Sequence, residues 1–256
     1  MVKRAGLRLV ACLIAAHFFS SITAHAKETL PHVQFIYLVP QNRQIKPAYQ
    51  RAIELSALNI QQWIAEKLQG YTFDLDDPVV TIIQSGHEAA WYADNETNAA
   101  KSIAFYNNAA ADLRRSKALQ FNDPMVRYVV YVDADLRCGQ SGAGGNGVAI
   151  LSANDLRGLS GEPIVPACAT MSAAERGGKC RWIGGSAHEL LHTLGLGHSD
   201  QFDECKNPKC LQGALMMYGY TNYPNARLLD QELLKLRNSE FVRHREMTAQ
   251  QPACVD

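Results

Sequence analysis

Residues 33–39, Val-Gln-Phe-Ile-Tyr-Leu-Val, are almost all apolar, β-branched or aromatic, and predict a strand that Pro40 ends. From 47 to 68 the apolar positions change period. Ala52, Leu55, Leu58, Ile60, Trp63, Ile64 and Leu68 recur at helical spacing, and Gly70 is a plausible stop. Residues 71–73 and 79–83 read as a second strand region interrupted by Pro78. A second helix is predicted over 97–119, on Ile103, Ala104, Tyr106, Ala110 and Leu113. Residues 126–132, Val-Arg-Tyr-Val-Val-Tyr-Val, predict a third, central strand. The order strand, helix, strand, helix, strand implies a parallel sheet with right-handed crossovers.

The second half of the chain is less regular. Gly142, Gly144 and Gly147 fit G-x-G-x-x-G within a glycine-rich stretch, but residues 148–151 continue as a short strand. A nucleotide fingerprint leads directly into a helix, so the loop reading is preferred. A loop with Pro163 and Pro166 follows, then a predicted helix over 182–194. The chain is then irregular until about 228, where Leu229, Leu233, Leu234 and Leu236 predict a final helix.

Composition narrows the class. The 256 residues carry 25 basic and 25 acidic side chains, so no net charge draws the chain to nucleic acid or an anionic membrane. Lys3, Arg4 and Arg8, the short apolar run 9–19 and Ala24-His25-Ala26 together read as a signal peptide cleaved after Ala26. The run is too short to persist as a membrane anchor, and the expected location is secreted or periplasmic. Six cysteines then remain: Cys138, Cys168, Cys180, Cys205, Cys210 and Cys254. An even number in an exported protein favours disulfides. Sequence proximity prefers Cys205–Cys210 and Cys168–Cys180, leaving Cys138–Cys254. Asp133 and Asp135 end the third strand and either bind calcium or cap a turn, the turn being preferred.

The candidate chemistry lies in His188-Glu189-Leu190-Leu191-His192-Thr193-Leu194-Gly195-Leu196-Gly197-His198. Residues four apart share a helix face, so His188 and His192 can grip one ion. Glu189 lies about 100° round the helix from His188, given 3.6 residues per turn. From there it can take a proton from a metal-bound water. Gly195 permits the left-handed turn that brings the chain back, and His198 completes three ligands. Three protein ligands plus water is the open arrangement of a catalytic zinc, whereas a structural zinc is closed by four.

This pattern resembles the metzincin clan of zinc metallopeptidases, which carries H-E-x-x-H-x-x-G-x-x-H and a downstream methionine turn. Ala214-Leu215-Met216-Met217-Tyr218 is similar to that second half, with a slight leaning toward the matrixins. The resemblance implies an α/β (α+β) zincin fold: a mixed twisted sheet with two helices packed on it, an active-site helix and a small irregular C-terminal subdomain ending in a helix. It implies an upper subdomain over 27–198 and a lower one over 199–256. It implies one catalytic Zn2+ on His188, His192 and His198, and Glu189 as general base. Met216, with Met217 as the alternative, would lie beneath the ligands, and Tyr218 would stand near the metal as a catalytic residue. The expected activity is endopeptidase, on an extended peptide or protein, by a monomer. The substrate would add to an edge strand over 148–152, with residues 199–214 and 218–224 walling the pocket beyond the scissile bond. Two other classes share the motif: a zinc hydrolase of a non-protein amide or cell-wall peptide, and a non-catalytic zinc-binding protein. Glu189, useless for binding alone, argues against the last.

Overall fold

The computed structural model describes residues 30–93, 103–136, 142–165, 177–247 and 254. The expected signal peptide and the cysteines Cys138 and Cys168 lie outside these residues. The first strand, β1 (His32–Val39), is followed by α1 (Pro47–Lys67), β2 (Tyr71–Gln84), α2 (Ala89–Ala93), α3 (Ala104–Arg115) and β3 (Val126–Val132). Then come a short strand β4 (Ala143–Gly145), β5 (Val148–Leu151) and α4 (Ala153–Ser160). The helix α5 (Lys179–Thr193) leads into an irregular segment holding α6 (Pro208–Gly213), and α7 (Asp230–Arg237) and β6 (Val242–His244) close the order.

The strands form one mixed sheet in the order β4-β5-β3-β1-β2-β6. β5, β3, β1 and β2 are parallel to their neighbours, while β4 and β6 run antiparallel at the two edges. Alternation along each strand divides the core in two. Val33, Phe35, Tyr37, Val129, Tyr131, Ala149 and Leu151 face α1, α4 and α5. Ile36, Leu38, Val130, Val132, Val148 and Ile150 face α2 and α3. Both faces are covered, which is why the central strands read as continuous apolar runs.

Several expectations are revised. β2 is one strand that passes through Pro78, and the irregularity is absorbed as a bulge: Val33 pairs with Leu75, but Phe35 pairs with Val80. Pro78 is tolerated where the ladder is already interrupted. The second helix ends at Arg115, because Lys117 adopts a left-handed φ of 58°. Within α1 the buried face runs through Tyr49, Ile53, Ala57, Ile60 and Ile64, and Leu55 is 55% exposed.

The strand over 148–152 is not the sheet edge. β4, inside the glycine-rich stretch, pairs outside it. Asn146 and Gly147, at φ 52° and 82°, make the two-residue turn joining the two strands. Both central residues need positive φ in that hairpin, and Asn-Gly is its strongest sequence signal. The glycine pattern is therefore a hairpin.

The disulfides also differ. Cys205–Cys210 is present as expected. Cys180 instead bonds Cys254, with Cα atoms 5.5 Å apart, so neither Cys168–Cys180 nor Cys138–Cys254 forms. The cause is tertiary: Cys180, buried at the start of α5, and Cys254 both pack against the larger core and meet across 74 positions of sequence. Among the described residues no helix is long and apolar enough to cross a membrane.

Candidate metal centre

α5 places His188 and His192 one turn apart on its inner face. Their side chains are oriented from behind. His188 Nδ1 lies 2.7 Å from the Leu215 carbonyl, and His192 Nδ1 lies 2.8 Å from the Leu196 carbonyl. A carbonyl only accepts, so each Nδ1 carries the hydrogen and each Nε2 keeps a lone pair. The two Nε2 atoms face each other at 3.0 Å. Neither has a hydrogen to give the other, so this contact is not a hydrogen bond between them. It is what two ligands of one cation look like: bonds of 2.0–2.1 Å at a tetrahedral angle separate nitrogens by ~3.3 Å.

His198 completes the cluster. One nitrogen from each of the three histidines falls within 4.8 Å of the others. The turn that brings it there starts at Gly195, whose φ is +90°, and the Leu196 N–H returns to the Leu191 carbonyl. That places the Leu196 carbonyl against His192, so the helix stop also supplies the partner that orients this ring. Next to His198, the Ser199 N–H donates to the Met216 carbonyl at 3.1 Å and its hydroxyl donates to Glu232 at 2.6 Å. The other Glu232 oxygen accepts from the Leu229 N–H at the start of α7.

Burial keeps the His188 and His192 imidazoles neutral, the form that binds metal. It lowers His188, 7% exposed, to about 4, and also lowers His192. Burial pushes the Glu189 carboxyl up to about 8, with the Asp155 charge adding to the rise. A divalent cation beside it would pull that value down. β4 crosses α5 at this residue: a Cβ on Gly144 would stand 2.2 Å from the Glu189 carbonyl oxygen.

The lower segment presents two methionines and three tyrosines. Met216 is fully buried in the core beneath α5, whereas Met217 is partly buried against Cys205 and Cys210. Tyr218 is 45% exposed. Tyr220 is the tyrosine whose ring lies edge-on to His188, 5.8 Å between centroids. The spacing to Met216 pointed to Tyr218, and no sequence signal pointed to Tyr220. Tyr223 is held to α1 by a 2.7 Å hydrogen bond to Asn59, and Trp63 donates to the Pro224 carbonyl at 2.8 Å. α1 thus fixes the wall opposite α5.

The calcium alternative at Asp133 and Asp135 is not supported. Arg157 donates to Asp135 at 2.6 Å and Arg43 lies 3.7 Å from it. Asp133 is buried and accepts from the Tyr37 hydroxyl at 3.3 Å. Among the described residues only the three histidines form a group able to hold a metal.

The mixed sheet, its flanking helices and the histidine-bearing α5 make up a metzincin-like fold. No protein-family model matches the chain, and no curated protein matches it. Among solved structures it is similar to wild-type OgpA from Akkermansia muciniphila, with 21% identity and a TM-score of 0.52, over 84% of this chain and 62% of that one. A second crystal form of OgpA aligns at 19% identity and TM-score 0.51, over 88% and 64%. Catalytically inactive OgpA, in complex with an O-glycopeptide (glycodrosocin) substrate, aligns at 16% identity and TM-score 0.51, over 84% and 62%. The chain therefore shares their fold and spans about six tenths of their length.

Proposed function

We propose that this chain is an exported zinc-dependent endopeptidase with Glu189 as general base. The observation that carries the reading is the pair of Nε2 atoms 3.0 Å apart, each freed for a metal by a carbonyl behind it. The donor set fits zinc: three neutral imidazoles leave one tetrahedral position open, as in catalytic sites. Zinc held there supplies Lewis acidity toward a water and a substrate carbonyl.

The rest falls to the chain's own residues. His188, His192 and His198 would hold the ion, and the Leu215 and Leu196 carbonyls aim the first two. Orienting partners of this kind are typically worth 10- to 100-fold, roughly, in metal affinity. Glu189, one residue from His188, accepts the proton of the attacking water and delivers it to the leaving amine. Met216 supports the ligands from below. Tyr218 and Tyr220 compete as donors to the developing oxyanion, and the Tyr220 ring contact with His188 favours Tyr220. An extended peptide would add to the outer edge of β4, where main-chain hydrogen bonds hold substrates of many sequences. Two disulfides suit an exported protein. The O-glycopeptide complex of OgpA makes glycosylated peptides a substrate class to try beside plain ones.

The test is cleavage of unfolded casein and of peptide and O-glycopeptide mixtures by the protein from residue 27 onward, beside Glu189→Ala. The expected result is cleavage that a chelator stops and added zinc restores, and that Glu189→Ala lacks. Absence of cleavage by zinc-loaded wild type across these substrates sinks the reading.

A further inference from the structure

Arg181, Gly185 and Glu189 are spaced four and four along α5, so they occupy one row on the helix surface. The middle position is bare. A Cβ on Gly185 would meet Arg181 Nη1 at 3.3 Å, so the guanidinium lies along the helix over the glycine, one turn before Glu189. Two aromatic rings hold it there. Its Cζ lies 4.1 Å from the Trp182 ring centroid and 5.1 Å from that of Tyr220. Trp182 is itself wedged against Gly158, whose absent Cβ would overlap the indole at 2.2 Å. Tyr220 is the ring that also meets His188. A continuous surface therefore runs from the metal ligands along Tyr220 to the guanidinium, inside the wall assigned to the pocket beyond the scissile bond.

No carboxylate pairs directly with the positive charge on that surface. Among the described residues Arg181 forms no ion pair, and its Nε is out of water with no hydrogen-bond partner. The Asp155 and Glu189 carboxylates both feel its charge at longer range, and Asp155 is already engaged by the Ser152 N–H and hydroxyl at 2.9 and 3.0 Å. A shielded donor without an acceptor is costly, and a planar guanidinium fork matches a carboxylate. Stacking fixes the fork in advance, so little freedom is lost when a ligand arrives.

We propose that Arg181 is a specificity determinant that binds a carboxylate presented by the substrate beyond the scissile bond. This rests on the peptidase reading. The carboxylate comes either from an aspartate or glutamate side chain or from the substrate's own C-terminus, and the same chemistry recognises both.

Four peptides of one sequence separate the sources. Three are C-terminally amidated and carry Glu, Gln or Lys at the positions after the scissile bond. The fourth carries Gln and ends there in a free carboxylate. For zinc-loaded wild type, kcat/KM is expected to favour a carboxylate peptide over the amidated Gln peptide by about 10- to 100-fold, the worth of one charge-assisted contact. The Lys peptide should be the poorest. Preference for the Glu peptide identifies the side chain; preference for the free-acid peptide identifies the terminus. Arg181→Gln should collapse the ratio toward one, Arg181→Lys should keep part of it, and Arg181→Glu should turn it toward the Lys peptide. Fluorescence anisotropy of labelled peptides on zinc-loaded Glu189→Gln protein, with and without Arg181→Gln, gives the same ratio without turnover.

A wild-type ratio near one overturns the proposal. So does a ratio that survives Arg181→Gln, or a loss equal on all four peptides, since a structural role or an effect through Glu189 would produce the last. Cleavage without discrimination sinks the Arg181 assignment and leaves the peptidase reading standing. Discriminating anisotropy without cleavage does the reverse.

Discussion

The two faces of the sheet each carry a cluster of polar side chains, and the clusters are built on opposite principles. On the α2–α3 face, Asp112 accepts from the Ser85 hydroxyl at 2.6 Å and from the Tyr92 hydroxyl at 2.7 Å. Ser85 in turn accepts from the His87 N–H, and His87 stacks on Trp91 with Arg115 at its far nitrogen. Donors and acceptors meet within the cluster, so it fastens β2 to α2 and α3. On the other face His188 and His192 have their donors answered by carbonyls and their acceptors left facing each other, with a nitrogen of His198 within 4.8 Å. A cluster of matched donors and acceptors closes on itself. A cluster of converging lone pairs is complete only with a cation.

The comparison is broken most sharply at α5. His188→Ala is expected to abolish both zinc content and cleavage, whereas Glu189→Gln should keep zinc while lowering kcat by about 10²- to 10⁴-fold, the worth of a positioned general base. Metal stoichiometry beside kinetics reads the difference, and loss of zinc in the glutamate variant would contradict the roles assigned.

Asp112→Ala should have the complementary phenotype. It leaves the Tyr92 and Ser85 hydroxyls short of an acceptor and should cost about 1–3 kcal/mol in denaturant unfolding. Zinc content should not change. Unaltered stability would mean that the cluster does not hold that face.

Gly144→Ala tests how β4 and α5 share space. The added methyl must displace backbone, at a cost of about 1–3 kcal/mol. Because it presses on Glu189, the proposed general base, kcat should fall more than KM rises. A variant with wild-type stability and kcat would show that the crossing is looser than 2.2 Å implies.

The smallest effect is pH-dependent and lies away from the metal. Burial raises the Asp133 carboxyl above its ordinary 3.8, against the opposing pull of Arg43, Lys46, Arg157 and the Tyr37 hydroxyl. The folded state holds this proton more tightly than the unfolded chain. Stability from this group is therefore full below about 3.8 and declines as pH rises toward the raised value. Asp133→Asn should remove that decline, and unfolding curves of both proteins between pH 3 and 7, roughly the carboxylate range, would reveal it. Parallel pH profiles would refute the assignment.

Much of this was legible along the chain because it depends on neighbours in sequence. Runs of β-branched residues become strands wherever both faces are covered, so β1 and β3 are found where the pattern puts them. Histidines four apart on a helix converge whatever surrounds them, and a glycine after them allows the turn that delivers a third. That logic was enough to bring His188, His192 and His198 into one group. The Asn146-Gly147 turn carries the same kind of local signal, Asn-Gly between two strands, overlapped by the glycine motif.

What only the tertiary structure decided depends on residues far apart in sequence. Cys180 meets Cys254, 74 positions away, where both pack against the core beneath α5. The Leu215 carbonyl finds His188 across 27 residues, and Glu232 finds Ser199 across 33. Tyr220 rather than Tyr218 lies against a histidine because Gly184, lacking a side chain, lets the lower segment approach α5 to backbone contact. Local pattern sets which atoms a helix can present, because helical geometry repeats every few residues. Which carbonyl, ring or charge stands opposite is set by how separate elements pack.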